Sequence, residues 1–135
     1  MKSYTDLKQS AQLALLLPAG SSDMWWNWLS DPFDEVNEGE YDKEPLLHKP
    51  VCYPEKALPC WSLAALIDAL PLGVDIHNIT DGHKMYYYVE IYTKEIYMKL
   101  KRMNKPEICL STERHENLVD ACYEMILKLK EKDLL

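Results

Sequence analysis

The chain has 135 residues, and its 22 acidic residues outnumber 15 lysines and arginines, which gives a formal charge of −7 and a pI of about 5.0. Hydrophobic residues make up 47% of the chain and charged residues 27%, a balance typical of a globular protein. This length fits one compact domain with its own hydrophobic core. Composition and charge therefore exclude a basic nucleic-acid-binding protein, a low-complexity or collagen-like chain and a disulfide-stapled miniprotein.

The first predicted element is a helix over residues 5–17. Apolar residues recur at helical spacing at Leu7, Ala11, Ala14 and Leu15, and Pro18 ends the pattern. Three further leucines widen the apolar face. The pattern therefore predicts that this helix is buried on more than one side.

Three of the four tryptophans lie within four residues, at Trp25, Trp26 and Trp28. If this segment is helical, Trp25 and Trp26 point in directions about 100° apart, so the three indoles cannot all face one core. We expect Trp26 to be partly exposed. Because exposed tryptophan is over-represented at binding hot spots, Trp26 is a candidate partner-binding residue.

An irregular loop is predicted over about residues 31–59, which hold five of the eight prolines and no sustained hydrophobic period. Seven acidic residues and one lysine lie between Asp31 and Glu44, so this stretch carries −6 of the total charge of −7. Such a loop attracts a basic protein surface, or it keeps the protein soluble without a specific contact. It lacks the residue order of a calcium-binding loop. The candidate partner-binding residues of this loop are Asp34, Glu35, Glu38 and Glu40.

A second helix is predicted over about residues 61–70, with Ser62 as its N-cap and Pro71 at its end. After Gly73 the hydrophobic period changes from helical to two, which is typical of strands. Two strands are therefore predicted over residues 74–78 and about 84–92, joined by a hairpin turn at Asp81-Gly82.

The last part of the chain predicts further strands and one long helix. Residues 96–101 alternate between apolar and polar and predict a third strand, and residues 108–110 are a candidate fourth strand. Leu118, Ala121, Cys122, Met125, Ile126 and Leu129 form an apolar helical stripe.

These elements predict an α+β fold for a single domain over residues 1–135. It has N-terminal and central helices, an antiparallel β-meander of three or four strands, and a long C-terminal amphipathic helix packed on the sheet. No apolar run reaches the ~18 residues of a membrane span, and no secretory signal pattern is present, so we expect a cytoplasmic protein without membrane contact.

An alternative binding surface is predicted on the second face of the sheet. Tyr86 and Tyr88 lie on one face of their strand, and a cluster of basic residues follows: Lys99, Lys101 and Arg102. Tyrosine side chains stack on single-stranded bases when a basic groove holds the phosphates. The alternative function is therefore a weak single-stranded nucleic-acid-binding module, although the net charge of −7 opposes it and makes nucleic acid the less favoured partner.

The sequence contains no recognisable catalytic or metal-binding motif. The four cysteines are scattered and are expected to be free thiols. His48, Cys52 and Cys60 lack the closely spaced ligand pairs of a structural zinc site. No nucleophile motif, glycine-rich phosphate loop or dinucleotide fingerprint is present. We therefore expect no catalytic residue, no cofactor and no metal, and an unrecognised enzyme is the third interpretation.

Three segments of the chain, residues 24–26 (MWW), 59–66 (PCWSLAAL) and 117–126 (NLVDACYEMI), resemble one group of proteins. These are small uncharacterised proteins encoded by phages, prophages and mobile elements of anaerobic gut bacteria. The resemblance implies an α+β domain inside a bacterial host cell, and it implies no activity. The favoured interpretation is a non-catalytic accessory protein that acts by protein–protein interaction with an unidentified partner. The sequence specifies no oligomeric state.

Overall fold

The computed structural model of the protein describes residues 2–30, 39–51, 54–71, 73–91, 98, 101–102 and 110–135. These residues form two compact units, one of Tyr4–Ala65 and the other of Met1–Ser3 together with Leu66–Leu135. The predicted α+β fold class is confirmed, whereas the single domain over residues 1–135 stays a prediction. No helix in the described ranges is long and apolar enough to cross a membrane.

Helix α1 (Leu7–Leu16) begins at Asp6 because the backbone and side chains there form a capping box. The Gln9 amide N–H donates to Asp6 Oδ1 at 2.8 Å, and the Asp6 N–H donates to Gln9 Oε1 at 3.2 Å. At the other end, Leu17 adopts an extended conformation before Pro18, which cannot continue the helix. The helix thus lies within the predicted range.

The buried face of α1 differs from the predicted one. Leu7 is exposed and Leu15 is 81% exposed, whereas Gln9, Ser10 and Leu13 are buried. The predicted stripe was wrong because it counted apolar residues only. Ser10 is buried because its hydroxyl group is hydrogen-bonded inside the unit, and Leu15, on the other side of the helix, therefore points outward.

The tryptophan segment forms strands and not a helix. Strand β1 (Met24–Trp26) pairs antiparallel with a strand at Leu58–Cys60, and β2 (Trp28–Ser30) pairs antiparallel with β3 (Gly39–Tyr41). The Leu58–Cys60 strand is β4. The predicted irregular loop over residues 31–59 therefore contains two short strands, whose partners precede them in the chain.

Helix α2 (Leu63–Ala69) lies within the predicted second helix. The predicted N-cap is confirmed, since the amide N–H of Ala65 donates to Ser62 Oγ at 3.2 Å. Ser62 is itself held by Asp23, whose carboxylate accepts hydrogen bonds from the Ser62 amide and hydroxyl groups. The start of this helix is thus fixed both locally and by a distant side chain.

The second unit contains an antiparallel sheet in the order β5 (Val74–Thr80), β6 (Met85–Ile91) and β7 (Leu110–Ser111). The predicted hairpin is confirmed. Asp81 Oδ1 accepts hydrogen bonds from the amides of His83 and Lys84, and Gly82 has a φ of 97°, which only glycine adopts without strain.

The third strand of the sheet is not the predicted one. Met98, Lys101 and Arg102 have helical backbone conformation, and the rest of residues 96–101 lie outside the described part of the chain. Residues 110–115 pair with the edge of β6 that β5 leaves free. Leu110 lies opposite Ile91, the Thr112 amide donates to the Val89 carbonyl, and His115 forms an antiparallel bridge with Tyr87. A strand from residues 96–101 therefore has no edge of β6 to pair with.

Helix α3 (Leu118–Glu131) packs against β6. Asn117 caps its first turn by accepting a hydrogen bond from the Asp120 amide at 2.9 Å. The predicted stripe is confirmed apart from Leu118, which is half-buried while its neighbour Val119 is fully buried. The helix and the strand bury these apolar side chains against each other: Ala121, Cys122, Met125, Ile126 and Leu129 from α3, and Val89 and Ile91 from β6.

Candidate functional site

Three buried side-chain atoms have no hydrogen-bond partner within the described ranges: Asn27 Oδ1, Trp28 Nε1 and His77 Nε2. Buried polar atoms are nearly always paired, so each such atom needs an explanation. Two of these atoms belong to the Tyr4–Ala65 unit and one to the second unit. The three atoms lie on two different surfaces.

The first surface is a two-stranded arrangement of residues 25–30 and 39–46, which we call the acidic ribbon. Trp28 pairs with Tyr41 and Leu29 with Glu40. The pairing continues beyond the named strands, because the Asp42 amide donates to the Asn27 carbonyl at 2.9 Å. At the end of the ribbon the amides and carbonyls of residues 25 and 46 exchange hydrogen bonds of 2.8 and 2.7 Å. The ribbon therefore has a defined register along its whole length.

Negative charge is concentrated in this unit. Residues 4–65 contain ten acidic residues against four lysines, a net charge of −6, so the rest of the chain carries −1. Glu40 and Glu44 are exposed on the ribbon, and Asp42 is half-buried. The other three predicted acidic contact residues, Asp34, Glu35 and Glu38, lie outside the described residues, between the two strands in sequence.

The ribbon also carries aromatic rings that hold cations. Trp28 and Tyr41 pack edge to face, with centroids 5.1 Å apart and planes at 80°. Lys56 Nζ lies 5.1 Å from the centroid of the Trp28 ring, and Lys49 Nζ lies 5.3 Å from that of Trp25. At these distances the ring quadrupole attracts an ammonium group. Both tryptophan rings thus act as cation acceptors, in the same unit that exposes Glu40 and Glu44.

Trp26 does not belong to this exposed surface. It is only 5% exposed, its Nε1 donates to Ser10 Oγ at 3.1 Å, and its ring packs edge to face on Tyr4 at 5.8 Å. The expectation that Trp26 is partly exposed is wrong because the segment is extended, and the alternation of a strand directs residue 26 inward. Trp26 therefore belongs to the scaffold that holds the ribbon.

The second surface is the face of the β5–β6 hairpin that α3 does not cover. Asp75 lies directly opposite Glu90, and His77 lies opposite Tyr88. One potential ligand atom from each of Asp75, His77 and Glu90 lies within 4.8 Å of the other two. The ring of Tyr88 stacks on that of His77, with centroids 4.7 Å apart and planes at 13°.

The residues of the alternative nucleic-acid surface are only partly brought together. Tyr86 and Tyr88 are half-buried on this second surface, which also carries the carboxylates of Asp75 and Glu90. Lys101 and Arg102 are exposed, and Lys99 lies outside the described residues. Carboxylates beside the tyrosines repel phosphate groups, so this geometry does not favour a nucleic-acid surface. Binding of single-stranded nucleic acid stays a prediction.

Two thiols are free and fully buried, those of Cys60 and Cys122. Burial raises the pKa of the Cys122 thiol to about 11 and also raises the pKa of Cys60, although hydrogen bonds to Thr5 and Ser10 partly oppose the second effect. Because the thiolate is the nucleophile, neither group is suited to nucleophilic catalysis. Cys52 and Cys109 lie outside the described residues.

The charged segment before α3 forms a structural contact. Glu124 accepts hydrogen bonds from the His115 ring at 2.9 Å and from the Glu113 amide at 3.0 Å. Glu124 also forms an ion pair with Lys128, four residues later in the same helix, at 3.7 Å. Glu124 therefore ties the loop after β7 to the helix, and His115 is engaged in this contact.

Comparisons of the chain with protein-family models, with curated proteins and with solved structures found no match.

Proposed function

We propose that the protein acts without catalysis, by binding a protein partner that presents a basic surface, and that the acidic ribbon is the contact. The observation that carries this proposal is the pair of tryptophan rings, Trp25 and Trp28, each with a lysine ammonium group on its face, in a unit whose net charge is −6. A lysine or arginine side chain of a partner finds there both a π face and a negative charge.

The composition of the ribbon supports the same function. Tryptophan and tyrosine are the residue types most enriched at binding hot spots, and Trp28 and Tyr41 are held rigidly together. Two apolar side chains follow the ribbon and face solvent, Leu47 at 80% and Val51 at 90% exposure. A polar surface with aromatic and apolar anchors is typical of a protein interface.

Two buried atoms of the ribbon that lack hydrogen-bond partners also bear on partner binding. Trp28 Nε1 and Asn27 Oδ1 are buried and lack partners among the described residues. Each buried unpaired group costs about 1–3 kcal/mol, and a partner whose binding rearranges this part of the ribbon and pairs both groups recovers that cost. The resemblance to mobile-element proteins supports the further proposal that the binding takes place in the cytoplasm of a bacterial host cell, as part of an accessory function.

The experiment is a selection of a random-peptide display library against the immobilised protein. We expect the selected peptides to be enriched in lysine and arginine. Their affinity should fall at least about tenfold, or 1.4 kcal/mol, when four acidic residues are neutralised. The neutralised variant carries Asp34→Asn, Glu35→Gln, Glu38→Gln and Glu40→Gln.

A matched control separates the ribbon from the overall charge. The control variant removes four exposed carboxylates from the second unit, through Asp68→Asn, Glu113→Gln, Glu131→Gln and Asp133→Asn. We expect it to bind the selected peptides like the unmodified protein. An equal loss of affinity in both variants, or a selection without basic enrichment, contradicts the proposal.

A second pair of variants tests the role of the tryptophan rings. Lys49→Met removes the ammonium group that covers the Trp25 ring, and Lys43→Met removes an exposed lysine of the same ribbon. The overall charge changes equally in both. If a partner cation occupies the ring, Lys49→Met should strengthen peptide binding more than Lys43→Met, because the internal competitor is gone. Equal effects mean that the rings take no part in binding.

A further inference from the structure

We propose that Asp75, His77 and Glu90 bind one divalent transition-metal ion on the open face of the β5–β6 hairpin. One ligand atom of each residue already lies within 4.8 Å of the other two. The three residues are brought together by strand register, since Asp75 is opposite Glu90 and His77 follows Asp75 by two positions on the same face. Ligands placed on paired strands are positioned more accurately than ligands on loops.

The pairing of Asp75 with Glu90 is unfavourable without a cation. Like charges directly opposite each other on antiparallel strands destabilise the sheet. Both carboxylates nevertheless lie on the same face, and no lysine or arginine is paired with either of them within the described ranges. A divalent ion between them compensates both negative charges.

His77 supplies an independent observation. Its Nε2 is shielded from solvent and has no hydrogen-bond partner in the described part of the chain. The nearest carboxylate oxygen, Glu90 Oε1, is 3.9 Å away, which is too long for a hydrogen bond. Two metal–ligand bonds of about 2.0–2.2 Å span a distance of this order, so a small movement of the half-exposed Glu90 side chain completes the bridge. The stacked Tyr88 ring holds the imidazole in place.

The ligand set indicates the class of metal. One imidazole and two carboxylates suit zinc and related first-row ions, whereas magnesium and calcium prefer oxygen ligands alone. Two carboxylates also neutralise the charge of a divalent ion. Three protein ligands leave at least one coordination position open, as in zinc sites that bind water or a further ligand.

An open cleft of about 580 Å³ is lined by Tyr88, whose ring stacks on that of His77. The other lining residues are Ser111, Thr112, Glu113 and Arg114. The site lies in the second unit, so it stands apart from the acidic ribbon and does not rest on the proposed protein binding. It departs from the expectation of no metal, which considered only ligands that are close in sequence.

The experiment is a calorimetric titration of the metal-free protein with Zn²⁺, repeated with Co²⁺ while visible absorption is recorded. We expect one Zn²⁺ to bind with a Kd below about 100 µM. The Co²⁺ protein should show d–d absorption bands that report its coordination. Each of His77→Gln, Asp75→Asn and Glu90→Gln should weaken binding by at least about tenfold, since each removes a direct ligand.

The control variants are His83→Gln, an exposed histidine on the turn of the same hairpin, and Glu113→Gln, an exposed carboxylate of the cleft. Both should bind Zn²⁺ like the unmodified protein. Absence of saturable binding, or binding that persists in His77→Gln, overturns the proposal, because the ion then binds elsewhere or not at all.

Thermal unfolding of the metal-free protein gives a second readout. If Asp75 and Glu90 repel each other, Asp75→Asn raises the Tm by about 1–4 °C while it removes Zn²⁺ binding. Circular dichroism confirms that the variant is folded. A lower Tm of metal-free Asp75→Asn means that the Asp75 carboxylate stabilises the hairpin without an ion, and it contradicts the charge-repulsion argument for the site.

Discussion

The indole Nε1 of Trp26 donates a hydrogen bond of 3.1 Å to the hydroxyl oxygen of Ser10, sixteen positions earlier in the chain. The same hydroxyl lies 2.7 Å from that of Thr5, which in turn accepts from the Trp61 amide at 3.1 Å. This buried network joins α1, β1 and the segment before α2. It explains why both Ser10 and Trp26 belong to the interior.

The first prediction concerns this network. Ser10→Ala should lower the free energy of unfolding by about 1–3 kcal/mol, because it leaves the Trp26 indole N–H buried without a partner. Chemical denaturation measures the effect. Gln12→Ala, an exposed position on the same helix, is the control and should stay within about 0.5 kcal/mol. In a Trp26→Phe background the cost of Ser10→Ala should shrink, and an unchanged cost would show that the two side chains are not coupled.

The second prediction concerns Glu40 of the acidic ribbon and the three acidic residues before it in sequence. Neutralising Asp34, Glu35, Glu38 and Glu40 together should leave the Tm within about 2 °C of the original value or raise it slightly, since surface charges contribute little and mutual repulsion is relieved. Differential scanning calorimetry measures this. Asp6→Ala is the reference for a carboxylate that stabilises the fold, because loss of the α1 cap should lower the free energy of unfolding by about 1 kcal/mol. A loss of that size in the ribbon variant would show that its carboxylates serve folding.

The third prediction concerns Cys122. Burial raises the pKa of its thiol from the ordinary value of 9.0 to about 11. The unfolded chain therefore loses this proton at lower pH than the folded protein does. The resulting stabilisation is present below pH 9 and is lost as the pH rises towards 11, by at most about 3 kcal/mol.

Denaturation of the unmodified protein and of Cys122→Ala at several alkaline pH values tests this prediction. The free energy of unfolding of Cys122→Ala should fall less as the pH rises. At pH 8 the native Cys122 should also react with a thiol reagent far more slowly than in denaturant, as followed by peptide mass mapping. Fast labelling of the native protein would contradict the buried, protonated state.

The fourth prediction concerns the turn of the β5–β6 hairpin. Hydrogen bonds from the amides of Lys84 and His83 lower the pKa of Asp81 below its ordinary value of 3.8. A carboxylate with a lowered pKa stabilises the fold above its unfolded pKa, and this contribution is lost as the pH falls through the folded pKa. Carbon-detected NMR titration should place the pKa of Asp81 below 3.8. In Asp81→Asn the acid-induced loss of stability should be smaller, and an ordinary pKa would mean that the turn is open in solution.

The sequence by itself determined the elements whose interactions are local. Asp6 and Ser62 cap helices through backbone amides three residues away, Asp81-Gly82 closes the hairpin, and the stripe of α3 repeats within one helix. These features depend on neighbours within a few positions, so residue type and spacing are enough to predict them. The same holds for the concentration of charge before residue 45.

The tertiary structure decided which distant segments meet. The alternating pattern of residues 96–101 predicts a strand next to β6. In the structure, residues 110–115 pair with that edge of β6 instead. Strand register placed Glu90 opposite Asp75 and beside His77, and the hydrogen bond to Ser10 directed Trp26 inward. In each case several segments have a suitable pattern, and the choice among them depends on backbone edges and buried polar groups that must be satisfied together. The spacing of residues along one strand or helix does not show which of several segments pairs with a given edge. The two candidate surfaces are therefore recognised only in the folded chain.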